Sequence, residues 1–266
     1  SRRRTGSTAT TRTRRKGKSR RRTGYSFANV TMPESHKPWK LGGLEMFLQA
    51  KLQTAQRHKQ ALERRMTNEG ASSRTQAQKL NLELARHIES FASQACAQVN
   101  SFKGDYRHIS QNESLKAKMK DKGMEAGELI VFSTVLHRCV PAFLFFSTKK
   151  KRTLIITTKA IYECETALST SVRRRVAFRE LNCLSISTAA ADVFAVLPRQ
   201  KLHDFLYQTM RRTEIVARLM QCYEAEVGVP LKVRFMQSIL LTMENGELKS
   251  EFNALALNFC TEATEC

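Results

Sequence analysis

Apolar side chains recur at helical spacing in two stretches of the first hundred residues. Leu44, Phe47, Leu48, Leu52, Ala55, Leu62 and Met66 step by three, four and seven, which predicts a helix over 44–66. The run Thr67–Asn68–Glu69–Gly70 ends it. Ser73 and Gln76 then stand at capping-box spacing before a second helix carrying Ala77, Leu80, Leu84, Ile88, Phe91, Ala95 and Val99. Two amphipathic helices with a short break predict a helical hairpin, whose stripes need a partner surface.

From about residue 129 the period becomes that of strands. The segments 129–136, 152–157, 160–165, 172–178, 183–188, 192–197 and 204–208 are short, β-branched or aromatic, and separated by polar breaks. Helical spacing returns in Ile215, Val216, Leu219, Cys222 and Tyr223, predicting a helix near 210–226 that Gly228 and Pro230 close. Strands are expected again at 232–235, 239–242 and 248–255, the last two around a turn at Asn245–Gly246. The expected fold is α+β: a helical hairpin, then an antiparallel β-barrel or sandwich packed by a C-terminal helix.

Charge changes this picture at the N-terminus. The 266 residues hold 45 Lys+Arg against 24 Asp+Glu, a formal charge of +21. Eleven of those cations fall in residues 1–24: Arg2, Arg3, Arg4, Arg12, Arg14, Arg15, Lys16, Lys18, Arg20, Arg21 and Arg22. The first carboxylate is Glu34, and Ala9 is the lone apolar residue before Gly24. Such a segment cannot bury a core, and its composition suits an arm lying on a polyanion. An Arg-rich presequence is the competing reading, but the apolar face of an amphipathic helix is missing. Residues 25–43, with Pro33, Pro38 and Gly42–Gly43, read as linker.

Candidate chemistry is sparse. The seven cysteines form no CxxC pair and no Cys/His cluster of zinc spacing, so neither metal nor cofactor is expected. An odd number of thiols without a signal peptide suggests an intracellular protein. The six histidines are scattered, no nucleotide-binding or hydrolase motif occurs, and no catalytic residue or small-molecule substrate is expected. The longest apolar stretch, 129–146, carries His137 and Arg138 near its middle, which argues against a membrane span.

The stretch Arg152–Thr–Leu–Ile–Ile–Thr–Thr–Lys–Ala–Ile–Tyr162 resembles the "R-x-L-x-L-T-x-x-A-x-Y" strand pair of the class I myosin tail homology domain. Asp105–Tyr106 with Asn112, Leu115 and Lys116 is similar to that domain's opening, and Val131–Phe132–Ser133 to its first strand. Arg174–Arg–Val–Ala–Phe178 with Leu181 and Ser185–Ile–Ser187 fits its middle. Arg212–Thr–Glu–Ile215 through Tyr223, then Gly228–Val–Pro–Leu–Lys–Val–Arg–Phe235, fits its closing helix and strand. The resemblance spans about 105–255. It implies a pleckstrin-homology-like domain that reads anionic phospholipid head groups, without the motor, for which these residues are too few.

The resemblance also implies a site. The family's paired basic positions fall on Arg138 and Arg152, with Lys149, Lys150 and Lys151 between them and Arg173, Arg174 and Arg175 as a second cluster. Arg138 takes the first position only if four extra residues enter the loop that follows; otherwise the position falls on Phe143. That insertion, Pro141–Ala–Phe–Leu–Phe–Phe146, is apolar, and buried strand is the preferred reading over a membrane wedge or docking edge. The Lys149–Arg152 run reads either as phosphate rim or as a solvated turn. In such myosins light-chain helices of pattern "I-Q-x-x-x-R-G" precede the tail. Leu52–Gln–Thr–Ala–Gln–Arg57–His58 echoes the pattern incompletely, and an ordinary amphipathic helix is preferred over calmodulin-type binding.

Two functions remain in competition. In the first, slightly preferred, the chain is a structural component of a large cytoskeletal assembly. Its arm lies on an acidic lattice such as tubulin, with a microtubule, axoneme or flagellum as the setting and ribosomal RNA as the next polyanion. In the second it is a peripheral adaptor on the cytoplasmic face of a membrane, binding phosphoinositides. The expected organisation is arm and linker 1–43, hairpin 44–104, tail-like domain 105–258 and tail 259–266.

Overall fold

A computed structural model describes residues 41–68, 76–141, 147–165, 171–199, 204–242 and 249–253. The basic arm with most of the linker, Ser73 of the capping box, the turn at Asn245–Gly246, Phe143 within the apolar insertion, and the tail 259–266 lie outside these residues.

Helix α1, Leu41–Asn68, and helix α2, Gln76–Gln98, form the expected hairpin. Lys59 meets Glu89 at 2.7 Å and Glu63 meets Arg86 at 4.0 Å, a ladder that runs in opposite senses along the two helices. The apolar stripe is divided between the partner helix and the rest of the molecule. Leu44, Phe47 and Leu48 pack with Ala95, Val99 and Phe102, and also with Ala217 of a later helix.

After a turn at Ile109–Gln111 a helix that periodicity missed, α3, covers Glu113–Asp121. Asn112 caps it: its side chain accepts from the Leu115 N–H at 3.0 Å, satisfying one of the unpaired first-turn donors. Nine residues burying only Leu115 and Met119 are too short for a visible period.

Eight strands then form one sheet. They are β1 Ile130–Pro141, β2 Ser147–Thr157, β3 Ala160–Cys164, β4 Val172–Ala177, β5 Leu181–Ser187, β6 Val193–Pro198, β7 Phe205–Gln208 and β8 Lys232–Met236. Helix α4, Arg212–Val227, stands between β7 and β8. Gly228 ends it in the left-handed conformation, φ 78°, where only glycine escapes the Cβ penalty, and its N–H donates to the Glu224 carbonyl at 3.0 Å. A separate two-stranded sheet pairs β9, Ser238–Thr242, with β10, Lys249–Asn253.

The large sheet runs β4-β3-β2-β1-β7-β6-β5-β8. The fold is α+β, with a helical hairpin ahead of the sheet as expected, and with two corrections. The sheet is not closed into a barrel, since β4 and β8 stand at its ends. It is also not wholly antiparallel. The chain crosses over through α4, and β8 returns parallel to β5, Cys183 opposite Lys232 and Ile186 opposite Phe235.

Strand alternation divides the side chains between two faces. On the inner face Phe132, Leu136, Leu154, Phe178 and Phe194 enclose Ile215 and Leu219 of α4. On the outer face Ile155, Tyr162 and Val172 pack against Leu115 and Met119 of α3. Truncating a fully buried leucine such as Leu154 to alanine costs about 2–5 kcal/mol.

The first hairpin is longer than its apolar pattern implied. β1 continues past Leu136 to Pro141, and β2 begins at Ser147. Lys149, Lys150 and Lys151 are therefore strand residues opposite Cys139, Arg138 and His137, not a solvated turn. Ladder hydrogen bonds hold this end of the hairpin, which is why a lysine run without apolar alternation escaped the strand signal.

Candidate anion-binding site

The lengthened hairpin decides which basic residues meet. Residues directly opposite in an antiparallel pair share a face. Arg138 faces Lys150 and Leu136 faces Arg152 on β1 and β2, Leu154 faces Glu163 across β2 and β3, and Glu163 faces Arg174 across β3 and β4. On the other side of β1, Arg138 faces Tyr207 of β7. Arg138, Lys150, Arg152 and Arg174 therefore stand together on the inner face, beyond the apolar core. Five strands position them.

Glu163 is their centre. Its side chain is 1% exposed, and Arg138 Nη1 donates to its Oε1 at 3.0 Å. Arg152 Nε lies 3.5 Å from the same oxygen, and the Tyr207 hydroxyl donates to Oε2 at 2.8 Å. A carboxylate taken from water needs such partners, and two guanidinium groups and a phenol supply them. The Arg138 and Arg174 guanidinium groups also lie over the Phe205 ring, 5.2 and 5.5 Å from its centre. Burial and the neighbouring Glu163 carboxylate push the Tyr207 phenol well above its ordinary value, so it remains a donor.

Two guanidinium groups share one carboxylate, with Arg174 opposite it on β4 and Lys150 beside Arg138. Lys150 is exposed, whereas Arg138 and Arg152 are anchored. The cluster can take up an anion through charge-assisted hydrogen bonds from guanidinium and ammonium groups held in advance.

The other four sequence-expected residues do not join it. Lys149 and Lys151 share the outer face with Cys139 and His137. There burial, then Lys149 and Lys151, holds the His137 imidazole below its usual range. Arg173 pairs with Glu165. Arg175 donates to the Tyr162 hydroxyl at 3.0 Å and lies 3.5 Å from Glu125 and 3.7 Å from Glu128, under the α3 side of the sheet.

Glu163, Tyr207 and Phe205 were missed from sequence. One signal existed: an acidic residue inside Ala160–Cys164, a strand buried at every position. The arm residues Arg2 to Arg22 lie outside the described residues. Among the described residues no group of three or more His, Cys, Asp or Glu is placed to hold a metal, and no helix is long and apolar enough to cross a membrane.

A second buried carboxylate stands elsewhere. Glu214 on α4 accepts from the Tyr106 hydroxyl at 2.7 Å and the Gly104 N–H at 3.0 Å, tying the domain's opening segment to its helix. Arg212 on the same helix donates to the carbonyls of Ser187, Ala190 and Val193 at 2.9, 2.7 and 3.3 Å. These contacts hold the helix on the sheet.

Comparison with known proteins agrees with the resemblance. The family described as "Unconventional myosin tail, actin- and lipid-binding" matches residues 93–254. The myosin IB heavy chain of Dictyostelium discoideum is 32% identical over 107 residues, 38% of this chain and 9% of that protein. The chain thus spans a small part of that relative's length. Among solved structures, the hSac2 domain of the human phosphoinositide phosphatase Sac2 aligns at 15% identity. The alignment covers 48% of this chain and 90% of that one, with a TM-score of 0.34. The N-terminal pleckstrin-homology domain of human ARAP2 aligns at 11% identity over 39% of this chain and 86% of that one, with a TM-score of 0.29.

Proposed function

We propose, because this chain belongs to the unconventional myosin tail family, that it is a non-enzymatic adaptor bringing a cytoskeletal assembly and an anionic membrane together. The observation that carries the membrane half is the inner-face set of Arg138, Lys150, Arg152 and Arg174 around Glu163. The ligand is a phospholipid head group, and each basic group near an anionic leaflet contributes roughly 1 kcal/mol, so the four act together. Lys149, Lys151 and Arg175 add only diffuse attraction from the other face, and Arg173 is paired with Glu165. The place of action is the cytoplasmic face of a membrane, next to the cytoskeleton.

Flotation with phosphatidylcholine vesicles, with and without phosphoinositide, tests this. The chain floats with the charged vesicles, and the double reversal Lys150→Glu with Arg152→Glu abolishes flotation. Undiminished flotation of that variant sinks the site assignment.

A second reading rests on the arm, where eleven cations precede any carboxylate. The arm binds an acidic lattice, with the microtubule of an axoneme or flagellum as the finer candidate, actin filaments as the family's own description suggests, and RNA as a third polyanion. Co-sedimentation with each polymer, with and without residues 1–24, separates them. Loss of pelleting with microtubules alone on deletion selects the first, and unchanged pelleting with every polymer dismisses the arm.

A further inference from the structure

The β1–β2 hairpin outruns its neighbours. The pairing of β3 with β2 ends at Cys164 opposite Thr153, and the pairing of β7 with β1 ends at Leu206 opposite Cys139. Among the described residues no strand pairs with Lys149 to Arg152 on the β3 side. This projecting end is basic on both faces. Arg138, Lys150 and Arg152 take the inner face, while on the outer face Lys151 stands opposite His137 and Lys149 lies diagonal to it. Lys151 is exposed, and His137 and Lys149 are half-buried. Gln208 of β7, on the other side of His137, donates to Asp192 at 2.7 Å. The buried Cys139 thiol, pushed up to about 11 chiefly by burial, stays neutral. Burial, then Lys149 and Lys151, holds the His137 imidazole below its usual range, and no described carboxylate acts against them.

We propose that this outer face is a second, proton-dependent contact with an anionic leaflet, in which lipid phosphates lie against Lys149 and Lys151 and His137 becomes a third cation on acidification. The inference rests on the membrane reading of the inner face and adds a regulator to it. A soluble head group fills the inner site alone, whereas a bilayer is a continuous anionic plane that meets a projecting hairpin on both sides. Phosphates at the two ammonium groups cancel the repulsion that keeps the ring neutral, so the imidazolium forms more readily on the membrane than off it. By linkage, a group that holds its proton more tightly in the bound state strengthens binding as pH falls. One added cation near an anionic leaflet raises affinity about fivefold.

Flotation with phosphatidylglycerol vesicles, whose phosphodiester charge is constant over the range, at about pH 7.5 and about pH 5.5 tests this. The chain binds about fivefold more tightly at the lower pH, and His137→Asn binds equally at both. NMR titration of the His137 ring in the unaltered chain needs no variant. Its midpoint moves to higher pH with phosphatidylglycerol nanodiscs and stays in place with phosphatidylcholine ones. Equal affinity of the unaltered chain at both pH values, a rise that survives in His137→Asn, or an unmoved ring midpoint overturns the proposal while leaving the inner face standing. Flotation at neither pH, or flotation indifferent to Lys150→Glu with Arg152→Glu, overturns the membrane reading and this inference with it.

Discussion

Of the three buried glutamates among the described residues, Glu214 and Glu163 keep their carboxyl groups from water by different means. Glu214 is held by neutral donors, the Tyr106 hydroxyl and the Gly104 N–H, and joins the domain's opening segment to α4. Glu163 is held by Arg138 and Arg152, with Tyr207 closing the second oxygen, and more cations face it than it can neutralise. Burial holds the Glu214 carboxyl above the usual carboxylate range, the neutral donors first and then the nearby Arg218 and Arg211 offsetting only part of that cost. The difference separates a clasp from a site. Neutral donors that saturate a carboxylate leave nothing for a ligand, whereas a cationic shell larger than its counterion does.

The largest effect expected from this contrast is on Glu163. Glu163→Ala leaves two guanidinium groups without their buried counterion and costs about 3–5 kcal/mol in chemical denaturation. Glu214→Ala strands the Tyr106 hydroxyl and the Gly104 N–H, costs about 1–3 kcal/mol, and leaves vesicle binding intact. An equal or reversed order of these two losses removes the distinction.

A smaller effect is the pH dependence of the clasp. Because the Glu214 pKa is raised on folding, the folded state binds the proton more tightly than the unfolded one. Its contribution therefore falls as pH rises from the unfolded value of about 4.3 through the folded value. Glu214→Gln flattens that limb of the stability profile. Asp105 slopes the other way. Burial raises its pKa, but hydrogen bonds from Ser133, Ser110 and Ile109 prevail and lower it, so its contribution fades as pH falls. The smallest change in stability is at Lys150, whose reversal to glutamate leaves the denaturation midpoint unmoved while weakening vesicle association about tenfold.

Most of the fold was legible because its elements are periodic: the α1 stripe, the alternating strands and the Gly228 stop each have a local cause. The helix α3 was not, being short and apolar at two positions. The open, partly parallel sheet was not, because the pairing of β5 with β8 is set by the crossover of α4 and not by either strand's pattern. The site was half legible. Arg138, Lys150, Arg152 and Arg174 were named together with Lys149, Lys151, Arg173 and Arg175, and only register separates the two sets. A lysine run without apolar alternation gives no register. Glu163 was hidden because an acidic residue on a buried strand acquires meaning only from what its neighbours on β1, β2 and β7 place against it.

The most direct test is residue-resolved NMR titration of the chain with a soluble inositol phosphate at fixed ionic strength. The inner-face assignment predicts saturable shifts at Arg138, Lys150, Glu163, Arg174 and Tyr207, with Lys149, Lys151, Arg173 and Arg175 following only weakly. Shifts concentrated on those four residues, or confined to residues 1–24, would contradict it.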